Sequence, residues 1–144
     1  MLNRVTVDIS LDTILPNRSV RIRTLTILDE YEVVRLEYEV TPPQDPFPVN
    51  ASDPALAAWY AQNGWQTSAR DDVGTEYDDW GGAAALSSDG TKTLGEFDLH
   101  PAPPANARWL ELSFRGSSAA EEGDHALYTL RFALPLDDAS IDQG

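Results

Sequence analysis

Cysteine is absent and lysine occurs once, at Lys92. Without cysteine the chain can form no disulfide, no thiolate metal site and no cysteine nucleophile, and it neither demands nor forbids an oxidising compartment. Histidine is scarce. His100 and His125 are the whole supply, and neither stands in an i, i+4 metal spacing or a triad-like arrangement. Both flank segments that read as loops, so they read as loop or surface residues. No glycine-rich stretch follows a strand and opens a helix, which removes the phosphate cradle of nucleotide-binding folds. No hydrophobic run is long enough to cross a bilayer or to act as an export leader. Met1 to Thr6 already alternates like a strand. A native start at Met1 therefore implies a cytoplasmic protein, and an excised domain an extracytoplasmic one.

Positive charge is also short. Twenty-four acids against ten bases leave a formal charge of −14, spread unevenly. Residues 1–40 carry seven acids and five bases, 41–100 carry ten and two, and 101–144 carry seven and three. Such a field repels phosphate backbones and anionic lipid, so nucleic acid and membrane insertion are excluded as expectations and a protein partner, cationic by preference, is favoured. A homodimer stays open. Surface acids also keep a small domain soluble.

What is present alternates. Val5, Val7 and Ile9 interleave with polar residues; Leu110, Leu112 and Phe114 do the same, as do Ala126, Tyr128, Leu130 and Phe132. This period of two marks strands with one buried face. Residues 19–27 and 31–40 read as a hairpin turning at Leu28-Asp29-Glu30, with Val20 opposite Tyr38, Ile22 opposite Leu36, and Arg21 opposite Glu37. The apolar parity switches near its tip, which predicts a bulge. The proline-rich stretch 41–48 reads as a loop. Asp53-Pro54 and Asn63-Gly64 then bracket one short helix whose Leu56, Trp59 and Tyr60 form a stripe suited to plugging an open end of a sandwich. Gly95 reads as a bulge.

Between Trp65–Ala69 and Thr75–Trp80, both strand-like, lies an acidic turn that reads as a hairpin corner. Asp72 can bond back to the backbone and Gly74 can take positive φ. Asp71, Asp72, Glu76, Asp78 and Asp79 also supply the hard oxygens that calcium prefers, though not at the spacing of an EF-hand. Carboxylates are so numerous that a glycosidase-like pair carries no information.

The run Asp71-Asp72-Val73-Gly74-Thr75-Glu76-Tyr77, followed by Gly95-Glu96-Phe97 and by Pro103-Pro104-Ala105-Asn106-Ala107-Arg108-Trp109-Leu110-Glu111-Leu112, resembles a pattern in immunoglobulin-like β-sandwich domains of largely uncharacterised bacterial, often actinobacterial, proteins. The resemblance covers the second half of the chain and rests on short turn signatures. It implies a fold and no activity, because a sandwich hosts many unrelated functions. Many such domains are secreted or membrane-tethered.

Together these features predict an all-β protein: an antiparallel two-sheet immunoglobulin-like sandwich of about eight strands with one short helix in a loop. Residues 1–136 form one domain and 137–144 a flexible acidic tail. No reactive constellation emerges, so the expectation is a protein that is not an enzyme and needs no cofactor. It would be a non-catalytic binding module for another protein. The alternative is a carbohydrate-binding sandwich in which Trp59, Trp65, Trp80 or Trp109, Trp80 and Trp109 foremost, stack on sugar rings, with calcium at the acidic turn.

Overall fold

The computed structural model describes residues 3–116, 127–136 and 141–143. In chain order the described elements are β1 (Arg4–Ser10), β2 (Ser19–Leu28), β3 (Val33–Thr41), α1 (Asp53–Asn63), β4 (Trp65–Asp71), β5 (Asp78–Leu86), β6 (Thr93–His100), β7 (Trp109–Gly116), β8 (Leu127–Ala133) and β9 (Ile141–Gln143). They form two antiparallel sheets, β1-β2-β3-β6-β5 and β4-β7-β8-β9. The protein is a two-sheet β-sandwich.

Alternation drives the layering. Val5 and Val7 of β1, Val20, Ile22 and Leu25 of β2, and Val34, Leu36 and Val40 of β3 face Leu110, Leu112 and Phe114 of β7 and Leu130 and Phe132 of β8 in one buried cluster. Leu11, Ile14 and Leu15 join this cluster from the β1–β2 connection. That loop is fastened from both sides. Leu11 N donates to Val20 O at 2.7 Å, the Tyr128 hydroxyl donates to the Asp12 carbonyl, and Gly116 lies so close to the Ile14 carbonyl that a Cβ there would collide with it. The loop, and not the helix, closes this end of the sandwich. Of α1 only Asn63 is buried.

The structure corrects several sequence expectations. The β2–β3 turn spans four residues, because Leu28 pairs with Val33 and Glu32 takes a left-handed φ of 55°. The longer turn shifts the register. Val20 faces Val40, Ile22 faces Tyr38, Arg21 faces Glu39, and the expected bulge falls between Ile22 and Thr24. The helix is capped by Ser52, whose Oγ accepts from Ala55 N at 3.4 Å, one residue before the expected Asp53. Gly95 sits in an unbroken β3–β6 register, and the bulge lies on β5 between Asp79 and Gly82, opposite Leu99 and Phe97. Glycine is needed at 95 because the Tyr38 ring occupies the space of its side chain.

The acidic turn is not a hairpin corner. β4 pairs with β7 in one sheet and β5 with β6 in the other, so residues 72–77 carry the chain across the sandwich. Within the predicted loose tail, Ile141–Gln143 pairs with Leu130–Phe132 as an edge strand; the free ladder of β8 offers hydrogen bonds that composition alone does not reveal. Residues 137–140 and 144 lie outside the described residues, as does His125.

Candidate functional site

β5 is made of Asp-Asp-Trp-Gly-Gly-Ala-Ala-Ala-Leu, and all nine residues are exposed. From Gly82 to Ala85 its side chains are too small to fill the space between two sheets that stand about 10 Å apart. The consequence is a cleft of about 700 Å³ along the inner side of β5. Gly82–Ala85 form its floor, and Tyr38, Phe47, Trp59, Tyr60, Trp65 and Phe97 wall it. Tyr38 meets Trp65 edge to face at 4.9 Å and leans on Phe97 at 5.9 Å. On the other wall Phe47, Trp59 and Tyr60 form a second edge-to-face set at 5.1 to 6.2 Å.

A polar knot holds the second wall in place. The amide of buried Asn63 accepts from Asp45 N at 2.8 Å and donates to Asp45 Oδ2 at 3.2 Å and Trp59 O at 3.0 Å. Arg18 spans the same junction, donating to Pro43 O at 3.1 Å, Gln62 O at 3.2 Å and Asp45 Oδ1 at 3.0 Å. Gln44 N donates to Thr93 Oγ1 at 2.9 Å and fixes the proline-rich segment to β6. Trp59 Nε1 donates to Asp45 O at 3.0 Å, which sets the plane of its ring.

The sequence-predicted site residues are dispersed. Asp71 is buried; its Oδ1 accepts from Val73 N at 3.0 Å and Thr75 N at 3.1 Å, and its Oδ2 from the Tyr77 hydroxyl at 2.7 Å. Burial disfavours its charge, but the hydrogen bonds from Thr75, Tyr77 and Val73 outweigh that and lower its pKa. The Tyr77 phenol moves the other way, raised by burial and by its bond to Asp71. Asp72 Oδ1 accepts from Arg108 N at 2.7 Å and Trp109 N at 3.3 Å, contacts that hold its carboxyl below the usual range. Asp79 Oδ1 accepts from Gly81 N at 2.7 Å and borders the cleft. Glu76 and Asp78 are exposed. Among the described residues no three side chains of His, Cys, Asp or Glu stand together as a metal site.

Of the four tryptophans considered for sugar stacking, Trp59 and Trp65 line the cleft, whereas the two foremost candidates, Trp80 and Trp109, do not. Trp109 lies on the outer face of the smaller sheet with the Arg131 guanidinium 4.0 Å above its ring and Arg70 at 5.7 Å. Arg70 and Arg131 also donate to Glu111, at 2.6 and 3.0 Å respectively, and Arg70 above all lowers the Glu111 pKa. Trp80 stacks on His100 at 3.7 Å with the rings nearly parallel, and stays 58% exposed. The cleft rings that sequence reasoning did not assemble had one legible signal: Trp59 and Tyr60 on the helix stripe, with Phe47 standing apart among prolines.

Fold and cleft define the class: a two-sheet β-sandwich with an aromatic-walled lateral opening. No protein-family model matches the chain, and no curated protein matches it. Among solved structures it is similar to a conserved domain protein from Bacillus anthracis, at 14% identity and a TM-score of 0.50, over 91% of this chain and 48% of that one. This chain thus spans about half the length of that structure, and the likeness shows the fold alone. No helix among the described residues is long and apolar enough to cross a membrane.

Proposed function

We propose that the protein is a non-catalytic interaction module, immunoglobulin-like in topology, that receives an extended segment of another protein in the cleft beside β5. Strand order supports the topology. β2-β3-β6-β5 over β4-β7-β8 follows the ABED over CFG order of a constant-type immunoglobulin domain, with β1 and β9 added at the edges. The observation that carries the function is the floor of the cleft. Gly82, Ala83, Ala84 and Ala85 expose strand backbone between aromatic walls, and a peptide main chain complements exposed backbone while its side chains enter ring-lined space.

A peptide array read with the labelled protein tests this. Binders should quench the fluorescence of Trp59 and Trp65 and lose affinity in Phe47→Ala and Tyr60→Ala variants that still melt cooperatively. Turnover of a substrate that disappears in those variants would overturn the non-catalytic reading.

Trp80 favours carbohydrate as a second reading, since His100 backs one face and the ring is 58% exposed. A glycan array whose signal vanishes in Trp80→Ala but survives Phe47→Ala would select it. The calcium attached to this reading has three of its five candidate ligands, Asp71, Asp72 and Asp79, engaged by internal donors. Sugar binding is therefore expected to be unchanged by EDTA.

A further inference from the structure

We propose that β5 takes up a cationic, extended segment of a partner protein as a sixth strand of the larger sheet, paired along Gly82–Leu86. The proposal rests on the reading of the protein as an interaction module and names the chemistry of what it binds.

Among the described residues the sandwich has four edge strands, β1, β5, β4 and β9. Natural sheets blunt their edges with charge, proline, bulges or brevity, because an open edge recruits further strands. Three of the four are blunted. β1 carries Arg4 and Asp8 and a register break between Thr6 and Ile9, β4 carries Arg70 and ends in Asp71, and β9 is three residues long. β5 has its bulge at the start, between Asp79 and Gly82. From Gly82 to Leu86 it has no charge, no proline and no further break.

The free donors can be assigned. The β5–β6 hairpin closes with Ser87 N donating to Lys92 O at 2.8 Å, and the register runs Ala85↔Leu94 and Ala83↔Glu96 at the same parity. Antiparallel ladders alternate bonded and non-bonded pairs. The N–H and C=O of Ala83 and Ala85 therefore face β6, and those of Ala84 and Leu86, beyond the bulge, face outward. An incoming strand meets a regular row of main-chain partners flanked by side chains no larger than a methyl until Leu86.

Charge selects the occupant. Between residues 71 and 100 stand eight carboxylates and one lysine, with Asp78 and Asp79 at one end of β5 and Asp89 just past the other. A second copy fits poorly. Antiparallel self-pairing centred on Ala84 would set Asp79 of each copy against Asp89 of the other, and each copy carries −14. A segment rich in lysine or arginine meets the same ends with attraction.

The test uses the full chain and a fluorescein-labelled peptide of about ten alternating threonines and lysines, a typical strand length. Its companions are the threonine–glutamate counterpart and a threonine–lysine peptide N-methylated at alternate residues, which keeps the charge and removes strand pairing. Anisotropy should show binding of the first peptide alone. Ala84→Pro removes an outward N–H without touching the β5–β6 ladder, a position where an edge tolerates proline, and should weaken binding at least about tenfold. Ala84→Lys keeps the backbone intact and should weaken it similarly by repulsion, so a misfolded proline variant does not decide the matter. Equal binding of the N-methylated peptide, or unchanged binding in both variants, overturns edge pairing while leaving a cleft-binding module standing. Equal binding of the glutamate peptide overturns the cationic preference. Absence of binding by all three overturns the proposal, and the peptide array separately decides the module reading. A dimer that Ala84→Pro dissociates, with no peptide bound, assigns the edge to a second copy instead.

Discussion

The two halves of the sandwich meet the same requirement, covering apolar sheet, and meet it differently. Across β1 to β3 most inward residues, from Val5 to Val40, are buried against β7 and β8, and Leu11, Ile14 and Leu15 seal the end. Toward β5, Leu99 of β6 still reaches the cluster, but the rings of Tyr38 from β3, Trp65 from β4 and Phe97 from β6 are only partly buried against it, and β5 adds nothing to it. The difference is side-chain volume. Glycine and alanine cannot reach across the gap between sheets, so β5 is held by pairing with β6 and leaves a space behind it. Stability is concentrated in one half, and accessible surface with unpaired backbone in the other, which is where binding sites arise.

Phe114→Ala should give the largest effect, because it empties a fully buried position of the closed half. About 3–5 kcal/mol of destabilisation in urea unfolding is expected. Phe97→Ala, in the open half, should cost about 1–2 kcal/mol, since its ring is only partly buried. Equal costs would break the comparison and mean that the cleft wall is packed as tightly as the core.

Asp71→Asn comes next, at about 1–3 kcal/mol near neutral pH, because charged acceptors of backbone and phenol donors are lost. Its folded-state pKa is lowered. The contribution is therefore complete above the unfolded value of about 4 and disappears as pH falls through the folded value. Thermal melts from pH 7 downward should show a shallower acid loss in the variant than in the parent chain. Parallel curves would mean that the crossover between sheets is held by something other than this carboxylate.

Glu111→Gln should cost about 1 kcal/mol. Its carboxylate is nearly buried beneath two arginines, but Arg70 and Arg131 remain largely in solvent, which limits both the penalty and the gain. A double-mutant cycle with Arg131→Met separates the ion pair from the contact of Arg131 with Trp109.

Strand existence was legible because burial on one face imposes a period of two, as at Leu110, Leu112 and Phe114. Partner strands were not. Asp71 to Tyr77 looks like a hairpin turn because turn chemistry is local, whereas whether the strands on either side pair with each other or with β6 and β7 is decided by the whole sheet. The four-residue β2–β3 turn shows the same limit at smaller scale: Glu32 takes a conformation its residue type does not advertise, and the register moves with it. The cleft was half legible. Trp59 and Tyr60 declared a stripe, but plugging and lining look identical in sequence, and the choice fell to the β1–β2 loop, whose Leu11, Ile14 and Leu15 reach the core first. Gly95 carried a true signal with the wrong cause, since it makes room for a ring and not for a bulge.

The smallest stability change should come from Trp80→Ala, and its contrast with Trp109→Ala sharpens the division between anchored and available aromatic surface. Both rings project from strands on polar parity beside the acidic crossover. Trp109 is covered by Arg131, and its strand start is held by Asp72, so removing its ring uncovers Glu111 and should cost about 1–2 kcal/mol through lost packing and cation–π contact. Trp80 touches the His100 ring and is otherwise open. Its removal should change the unfolding free energy by no more than about 0.5 kcal/mol, as for surface positions generally. If Trp80→Ala instead destabilises as much as Trp109→Ala, the stack on His100 is a structural clamp for the start of β5, and the aromatic surface available to a ligand is confined to the cleft.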